Sequence, residues 1–324
     1  MKRILKFAGY LLVVVVVGIA LMLTYVKTML PDVGDAPELS VDKSEAQVER
    51  GRYLANHVMV CMDCHSKRDW SRYSGPLVEG TLGQGGEVFD QNMGFPGRFV
   101  ASNISPHGIG GWTDGEIWRA VTSGVGKDGR PLFPIMPYPN AGQLDESDIH
   151  AVIAYLRTLS PVANDPPASK ADFPMNFIIH TIPEKPSFQK MPPASDRVAQ
   201  GRYLVTAAGC RDCHTRQDKG KFVGPEFGGG FAFNFPDGSV TTSSNITPHA
   251  TGIGNWSEEQ FVLRFKQYVD SAYVSPQVAA GEKQTPMPWT MYAGMTNEDL
   301  SAIYTYLKTL TPVDNAVVQF TSGK

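Results

Sequence analysis

The sequence predicts an all-α protein: an N-terminal transmembrane helix followed by two tandem helical domains with long loops. Three observations predict it. Residues 7–26 form an uncharged apolar run of 20 residues, about the length that spans a bilayer core. From residue 44 onward the same landmarks recur in the same order, which marks a tandem duplication. Within each copy, helix start signals and apolar stripes at helical spacing make the reading mostly helical.

Lys2, Arg3 and Lys6 precede the apolar run and Lys27 follows it, with no acidic residue among the first thirty. That asymmetry puts the N-terminus in the cytoplasm and the rest of the chain outside. A cleaved signal peptide would have a shorter apolar region and a small-x-small cleavage site. Here Thr24-Tyr25-Val26-Lys27 follows and no Ala-x-Ala appears, so residues 1–30 are expected to stay as an anchor in a bacterial inner membrane. Residues 31–43 read as a tether.

A length of 324 residues suggests about two domains. An apolar content of 42% is ordinary for a globular protein. The net charge of −3, with 29 basic and 32 acidic residues, excludes the basic balance of a nucleic-acid-binding protein. The 32 glycines and 24 prolines imply turn-rich loops.

The first copy is read as residues 44–160 and the second as 194–313. A proline-rich linker, 161–193, lies between them, and a polar, loosely held tail, 314–324, ends the chain. The linker includes an apolar stretch, Phe173-Pro174-Met175-Asn176-Phe177-Ile178-Ile179, expected to lie against a domain. Gly51-Arg52-Tyr53-Leu54 matches Gly201-Arg202-Tyr203-Leu204. Ser102-Asn103-Ile104-Ser105-Pro106-His107 matches Ser244-Asn245-Ile246-Thr247-Pro248-His249, and a Gly-Ile-Gly-x-Trp run follows each. Met136-Pro137-Tyr138 matches Met287-Pro288-Trp289. Residues 44–56 predict a helix. Thr113-x-x-Glu116 and Ser257-x-x-Gln260 are capping boxes that begin another. Ile149, Val152, Ile153 and Leu156 stripe a closing helix, as do Leu300, Ile303, Tyr304 and Leu307 in its twin. Gly51 and Gly201 fall inside helices, where glycine costs about 1 kcal/mol against alanine. The expected compensation is a close helix crossing at Tyr155 and Tyr306.

The chemistry lies in two pentads, Cys61-Met62-Asp63-Cys64-His65 and Cys210-Arg211-Asp212-Cys213-His214. Each reads C-x-x-C-H, the spacing at which two thiols add to the vinyl groups of one haem and the histidine ligates its iron. Together they use all 4 cysteines. A thioredoxin-like pair needs no such histidine, and a zinc site needs further ligands that no spare cysteine can supply. The cofactors are therefore two covalently bound haem c groups. Gly83-Gln84-Gly85-Gly86 and Gly228-Gly229-Gly230 lack the lysine and the strand-to-helix context of a phosphate loop. They are expected to turn closely over a haem edge.

Each half resembles a class I c-type cytochrome domain, with its leading Gly-x-Tyr-Leu helix, C-x-x-C-H, Met-Pro and closing Tyr-Leu helix. The Ser-Asn-Ile-Ser/Thr-Pro run further resembles the multi-haem cytochrome subunits of bacterial membrane-bound alcohol, aldehyde and gluconate dehydrogenases. Those subunits usually carry three haems, an acid where His107 and His249 stand, and a C-terminal membrane contact. The resemblance implies His65 with Met136 and His214 with Met287 as axial ligand pairs. Of the 12 methionines, Met291 and Met295 compete for the second iron. The repeat favours Met287, because Met136 and Met287 each stand 12 residues before the paired Asp148 and Asp299, whereas Met291 aligns with Asn140 and Met295 with Leu144. The following proline is expected to hold an extended strand across the iron. His107 and His249 are expected to make polar contacts near a propionate and not to ligate iron.

Two six-coordinate irons leave no position for a substrate, so the expected role is electron transfer and not catalysis. The donor would be a periplasmic dehydrogenase or quinol-oxidising complex, and the acceptor a terminal oxidase or small soluble cytochrome. A di-haem peroxidase is the alternative; it requires unequal haems, and both copies retain Met-Pro.

Overall fold

The computed structural model describes residues 2–269 and 273–323. It begins with α1 (Lys2–Met29), a 28-residue helix with no buried residue. Among the described residues it is the one helix long and apolar enough to cross a membrane. The first copy contains α2 (Glu45–Tyr53), α3 (Cys61–Cys64), β1 (Val88–Phe89), β2 (Gly97–Val100), α4 (Pro106–Ile109), α5 (Asp114–Ser123), α6 (Tyr138–Ala141) and α7 (Glu146–Leu156). The linker adds β3 (Lys170–Ala171) and α8 (Met175–Ile178). The second copy contains α9 (Arg197–Ala207), α10 (Cys210–His214), β4 (Gln217–Asp218), β5 (Lys221–Phe222), β6 (Ala232–Asn234), β7 (Val240–Thr242), α11 (Glu258–Lys266), α12 (Trp289–Tyr292), α13 (Asn297–Leu307) and β8 (Phe320–Thr321).

Helices dominate, but all-α is too simple a description. Among the described residues there are three small antiparallel sheets, in the orders β1-β2-β3, β4-β5 and β6-β7-β8. Their strands are two to four residues long, too short to show an alternating pattern in the sequence. The segments after the two closing helices send back β3 onto β2 and β8 onto β7, with Phe320 opposite Thr241. The C-terminal segment is thus tied into a sheet at 320–321, contrary to the loosely held tail, 314–324, expected from its polarity.

The core of each copy is the crossing of its first and last helices, α2 on α7 and α9 on α13. Gly51 and Gly201 are the crossing points. A Cβ on Gly51 would collide with the Ala151 carbonyl and Tyr155 Cβ, and one on Gly201 with the Ala302 carbonyl and Tyr306 Cβ. Backbone-to-backbone approach is what offsets the helical cost of each glycine. Both capping boxes are formed: Thr113 and Ser257 accept from Glu116 N and Gln260 N, and the Glu116 and Gln260 side chains accept in return.

The copies differ in one place that bears on the site. Gly51 to Cys61 is one residue longer than Gly201 to Cys210. The extra residue is absorbed by a π-helical turn, Leu54–Val58, continuing α2. It carries His57, whose Nδ1 lies 2.9 Å from the Met291 carbonyl of the other copy. Apolar side chains of both copies, among them Leu54, Ile149, Leu204 and Leu300, belong to one continuous core.

Candidate haem sites

Each pentad opens on a left-handed residue that stops the preceding helix and turns the chain, Val60 at φ 44° and Gly209 at φ 62°. The short helix that follows sets its two cysteines three positions apart, on one face. The four thiols form no disulfide. Cys61, Cys64 and Cys210 are half-buried and Cys213 keeps exposed surface. Burial pushes the Cys61 thiol up to about 11 and the Cys210 thiol up to about 12, so both are protonated at neutral pH.

The histidines are held identically. His65 Nδ1 lies 2.7 Å from the Ser102 carbonyl, and His214 Nδ1 lies 2.7 Å from the Ser244 carbonyl. A carbonyl can only accept, so Nδ1 carries the proton in both rings and Nε2 keeps its lone pair. Burial lowers both imidazole pKa values, with the carbonyl bond opposing it, which favours the neutral ring a metal requires.

The serine carbonyls are themselves fixed. Asn103 Oδ1 accepts from Ser105 N and Oγ, while its amide donates to the Val162 and Asn164 carbonyls. Asn245 does the same with Thr247 N and Oγ1 and the Val313 carbonyl. The repeated Ser-Asn-Ile-Ser/Thr run is therefore a clasp that aims one carbonyl at the histidine. The glycine-rich stretches serve the same clasp. Gly85 (φ +71°) and Gly229 (φ +73°) donate to the His65 and His214 carbonyls at 2.9 and 2.8 Å. A Cβ on either would press on the backbone of Ser102 or Ser244 at 2.5 Å. The close approach that glycine permits is to this backbone.

Met136 and Met287 sit in matching turns. Tyr138 N donates to the Met136 carbonyl and Trp289 N to the Met287 carbonyl, each at 2.8 Å across the intervening proline. Pro137 (φ −78°, ψ 45°) and Pro288 (φ −81°, ψ 66°) have inverse γ-turn geometry. The expected extended strand is thus a tight turn that launches α6 and α12; proline's fixed φ suits both conformations, and the i to i+2 bond selects the turn. Met287 is half-buried, whereas Met291 and Met295 are 5% and 1% exposed and packed in the core. The Met287 turn is also gripped by the first copy: Ser74 Oγ donates to the Met287 carbonyl at 2.5 Å and accepts from Trp289 N at 3.1 Å.

The first copy reaches the second pentad. The Cys213 thiol is exposed on one side but otherwise enclosed, and is pushed up to about 12 by that enclosure, then by Asp212, then by Asp63 of the first pentad. Asn140, just after the Met136 turn, donates to Asp212 at 2.6 Å. Tyr292, just after the Met287 turn, donates to the Ala208 carbonyl at 2.7 Å. His107 and His249 stand elsewhere, beside Asp165 (3.0 Å) and Asp314 (3.7 Å) after the closing helices.

The donor set suits haem c: paired thiols on one helical face followed by a neutral histidine presenting Nε2. Among the described residues no cluster of three or more His, Cys, Asp or Glu is placed to hold a bare metal ion. Residues 198–311 match the family model described as cytochrome c. The second copy is a cytochrome c domain. The chain is also similar over most of its length to cytochrome subunits. It is 29% identical over 301 residues to the cytochrome c subunit of the quinone alcohol dehydrogenase of Gluconacetobacter polyoxogenes, covering 86% of this chain and 59% of that one. It is 28% identical over 302 residues to the gluconate 2-dehydrogenase cytochrome c subunit of Pantoea cypripedii, covering 86% and 63%. A diheme cytochrome c-type protein of Cereibacter sphaeroides is 27% identical over 277 residues, covering 78% and 83%. The chain spans about three fifths of the length of the first two relatives. None of these three is named a peroxidase.

Sequence reasoning located the pentads but missed the carbonyls of Ser102 and Ser244. The signal was present: a serine at the same place in both copies, before an asparagine that has no reason to recur in a loop unless it bonds.

Proposed function

We propose that the protein is a membrane-anchored di-haem c-type cytochrome. It accepts electrons from a periplasmic dehydrogenase or quinol-oxidising complex and passes them to a terminal oxidase or small cytochrome. The carrying observation is the doubled proximal arrangement, C-x-x-C-H with Nδ1 tied to a serine carbonyl at 2.7 Å in both copies. Haem, when bound, supplies a one-electron iron couple whose potential a His/Met ligand pair raises.

The chain's own residues would do the rest. Cys61 and Cys64, and Cys210 and Cys213, would hold the macrocycles through thioether bonds. His65 and His214 would supply Nε2 to the iron, and Met136 and Met287 would supply their sulfur, each from a turn stiffened by proline. The Asn140–Asp212 hydrogen bond at 2.6 Å, between the segment after the Met136 turn and the second pentad, supports a short path between the two centres. Residues 7–26 keep the protein in the inner membrane with its cytochrome copies in the periplasm, where donor and acceptor meet it in two dimensions. The cytochrome subunits of dehydrogenases among its relatives support a dehydrogenase as donor.

The deciding experiment is a reductive titration of the purified protein with an optical record. Two one-electron steps from a low-spin oxidised spectrum, with no peroxide turnover, are expected. A high-spin component together with peroxide reduction would replace this reading with a di-haem peroxidase.

A further inference from the structure

The apolar part of the linker lies beside the end of the membrane helix. Lys27, the first charge after the apolar run, donates to the Asn176 carbonyl at 2.6 Å and lies 3.3 Å from His180 Nε2. Its ammonium sits 5.0 Å from the Phe177 ring centre. His180 Nδ1 in turn lies 3.0 Å from the Leu30 carbonyl. α8 and the turn after it are therefore packed on the last turn of α1.

This contact fixes a depth. Residues 7–26 rise about 30 Å as a helix, the thickness of a hydrocarbon core, so Lys27 falls at the level where lysine reaches the headgroups. Whatever touches its ammonium lies at that level too. At that level the linker exposes apolar groups that water disfavours. Phe173 is 80% exposed and Ile178 45%, and Met29 on α1 is 63% exposed. Met93 is brought alongside by the Gln91–Asp172 hydrogen bond and by Asp172 N on the Pro96 carbonyl. The sheet β1-β2-β3 ties this patch to the first cytochrome copy, since β2 pairs with β3 two residues before Phe173.

We propose that residues 172–180 are a second membrane contact, a foot that enters the headgroup–acyl boundary of the outer leaflet of the membrane α1 spans. The partner is a lipid surface. Phe173 and Ile178 insert, and Lys27 with His180 stays among the headgroups. The foot fixes the first copy's distance and tilt relative to the bilayer, where a lone span and flexible tether would leave it free to swing. The inference rests on the anchor reading of α1.

The test uses the full holoprotein reconstituted in phosphatidylcholine–phosphatidylglycerol liposomes. The native cysteines are consumed by thioether bonds, so a Phe173→Cys variant takes a nitroxide label at one position; Phe173 is exposed, and unchanged haem spectra check the fold. Val318→Cys, at a residue 74% exposed on the C-terminal segment, is the comparison. In liposomes the label at 173 should be less accessible to a water-soluble nickel complex and more accessible to oxygen than the label at 318, which stays open to nickel. Intact mass establishes whether α1 is retained. Equal nickel accessibility at both positions with α1 retained overturns the foot alone. A mature mass lacking α1 overturns the anchor reading and the foot with it.

Discussion

His65 and His214 depend on groups far from their own pentads, a serine carbonyl 37 residues downstream in one copy and 30 in the other. A side-chain substitution at either serine leaves that carbonyl in place; a substitution at the glycine packed on it does not. Gly229→Ala puts a Cβ against the Ser244 backbone at a positive φ, strain of order 1–3 kcal/mol. The expected outcome is a low-spin spectrum lost at one haem, or a fall in stability of that size, read by absorption and denaturant titration. On the opposite side, Met287→Ala should abolish the sulfur-to-iron charge-transfer band of one haem and let it bind carbon monoxide. Met291→Ala and Met295→Ala, at core positions, should lower stability by roughly 2–5 kcal/mol and leave the band. Carbon monoxide binding in either of these two would transfer the ligand role from Met287.

Among elements, the loop of the first copy around residues 70–75 matters most. Tyr73 N bonds the Pro276 carbonyl, Val278 N bonds the Ser71 carbonyl, and Gln284 donates to the Trp70 and Arg72 carbonyls. Ser74, 1% exposed, closes the Met287 turn. Ser74→Ala should therefore weaken the charge-transfer band of one haem only, whereas the same change at an exposed serine does nothing; equal effects on both haems would refute the assignment. A second element-scale prediction concerns pH. Burial raises the Asp145 carboxyl, but hydrogen bonds from Met191 N and from Ser147 N and Oγ outweigh it and bring it down to about 2. A depressed carboxylate stabilises the fold fully above its unfolded value near 4 and loses that contribution as pH falls through 2. Asp145 caps α7 and anchors the linker, so Asp145→Asn should flatten the stability profile between pH 4 and 2. The periodic helices, their caps and the glycine crossings were legible because each leaves a local pattern. The π turn was not: it shows only as a one-residue difference in spacing. The strands were not either, since two or three residues carry no period and their pairing is set by distant partners.

At the scale of the molecule, the copies exchange hydrogen bonds. Tyr53 donates to Asp299, and Tyr203 donates to Asp148 at 2.6 Å. Each aspartate also has a partner in its own copy, Arg50 for Asp148 at 2.8 Å and Gln200 for Asp299 at 3.1 Å. Tyr53→Phe or Tyr203→Phe leaves a buried carboxylate short of a donor, a loss of about 1–3 kcal/mol. With one continuous core, both copies should unfold in a single denaturant transition in these variants and in the parent; two separated transitions would contradict it. Intact mass should exceed the polypeptide by two haems, and acid acetone should leave the colour with the protein. The pentads made the cofactor legible from five residues each, but nothing local in Gly-Arg-Tyr-Leu says that its tyrosine reaches the other copy.

The crossed tyrosine–aspartate pair has a further consequence. A contact in which the same two groups serve both partners is self-complementary under a two-fold rotation. The second copy alone carries both halves of it, Tyr203 and Asp299, and so does the first, Tyr53 and Asp148. A chain bearing a single copy would hold everything needed to form the same contact with its identical neighbour. The duplicated protein is in that sense a homodimer joined end to end, whose halves have come to differ, the first by its π turn and the second by its β4-β5 pair.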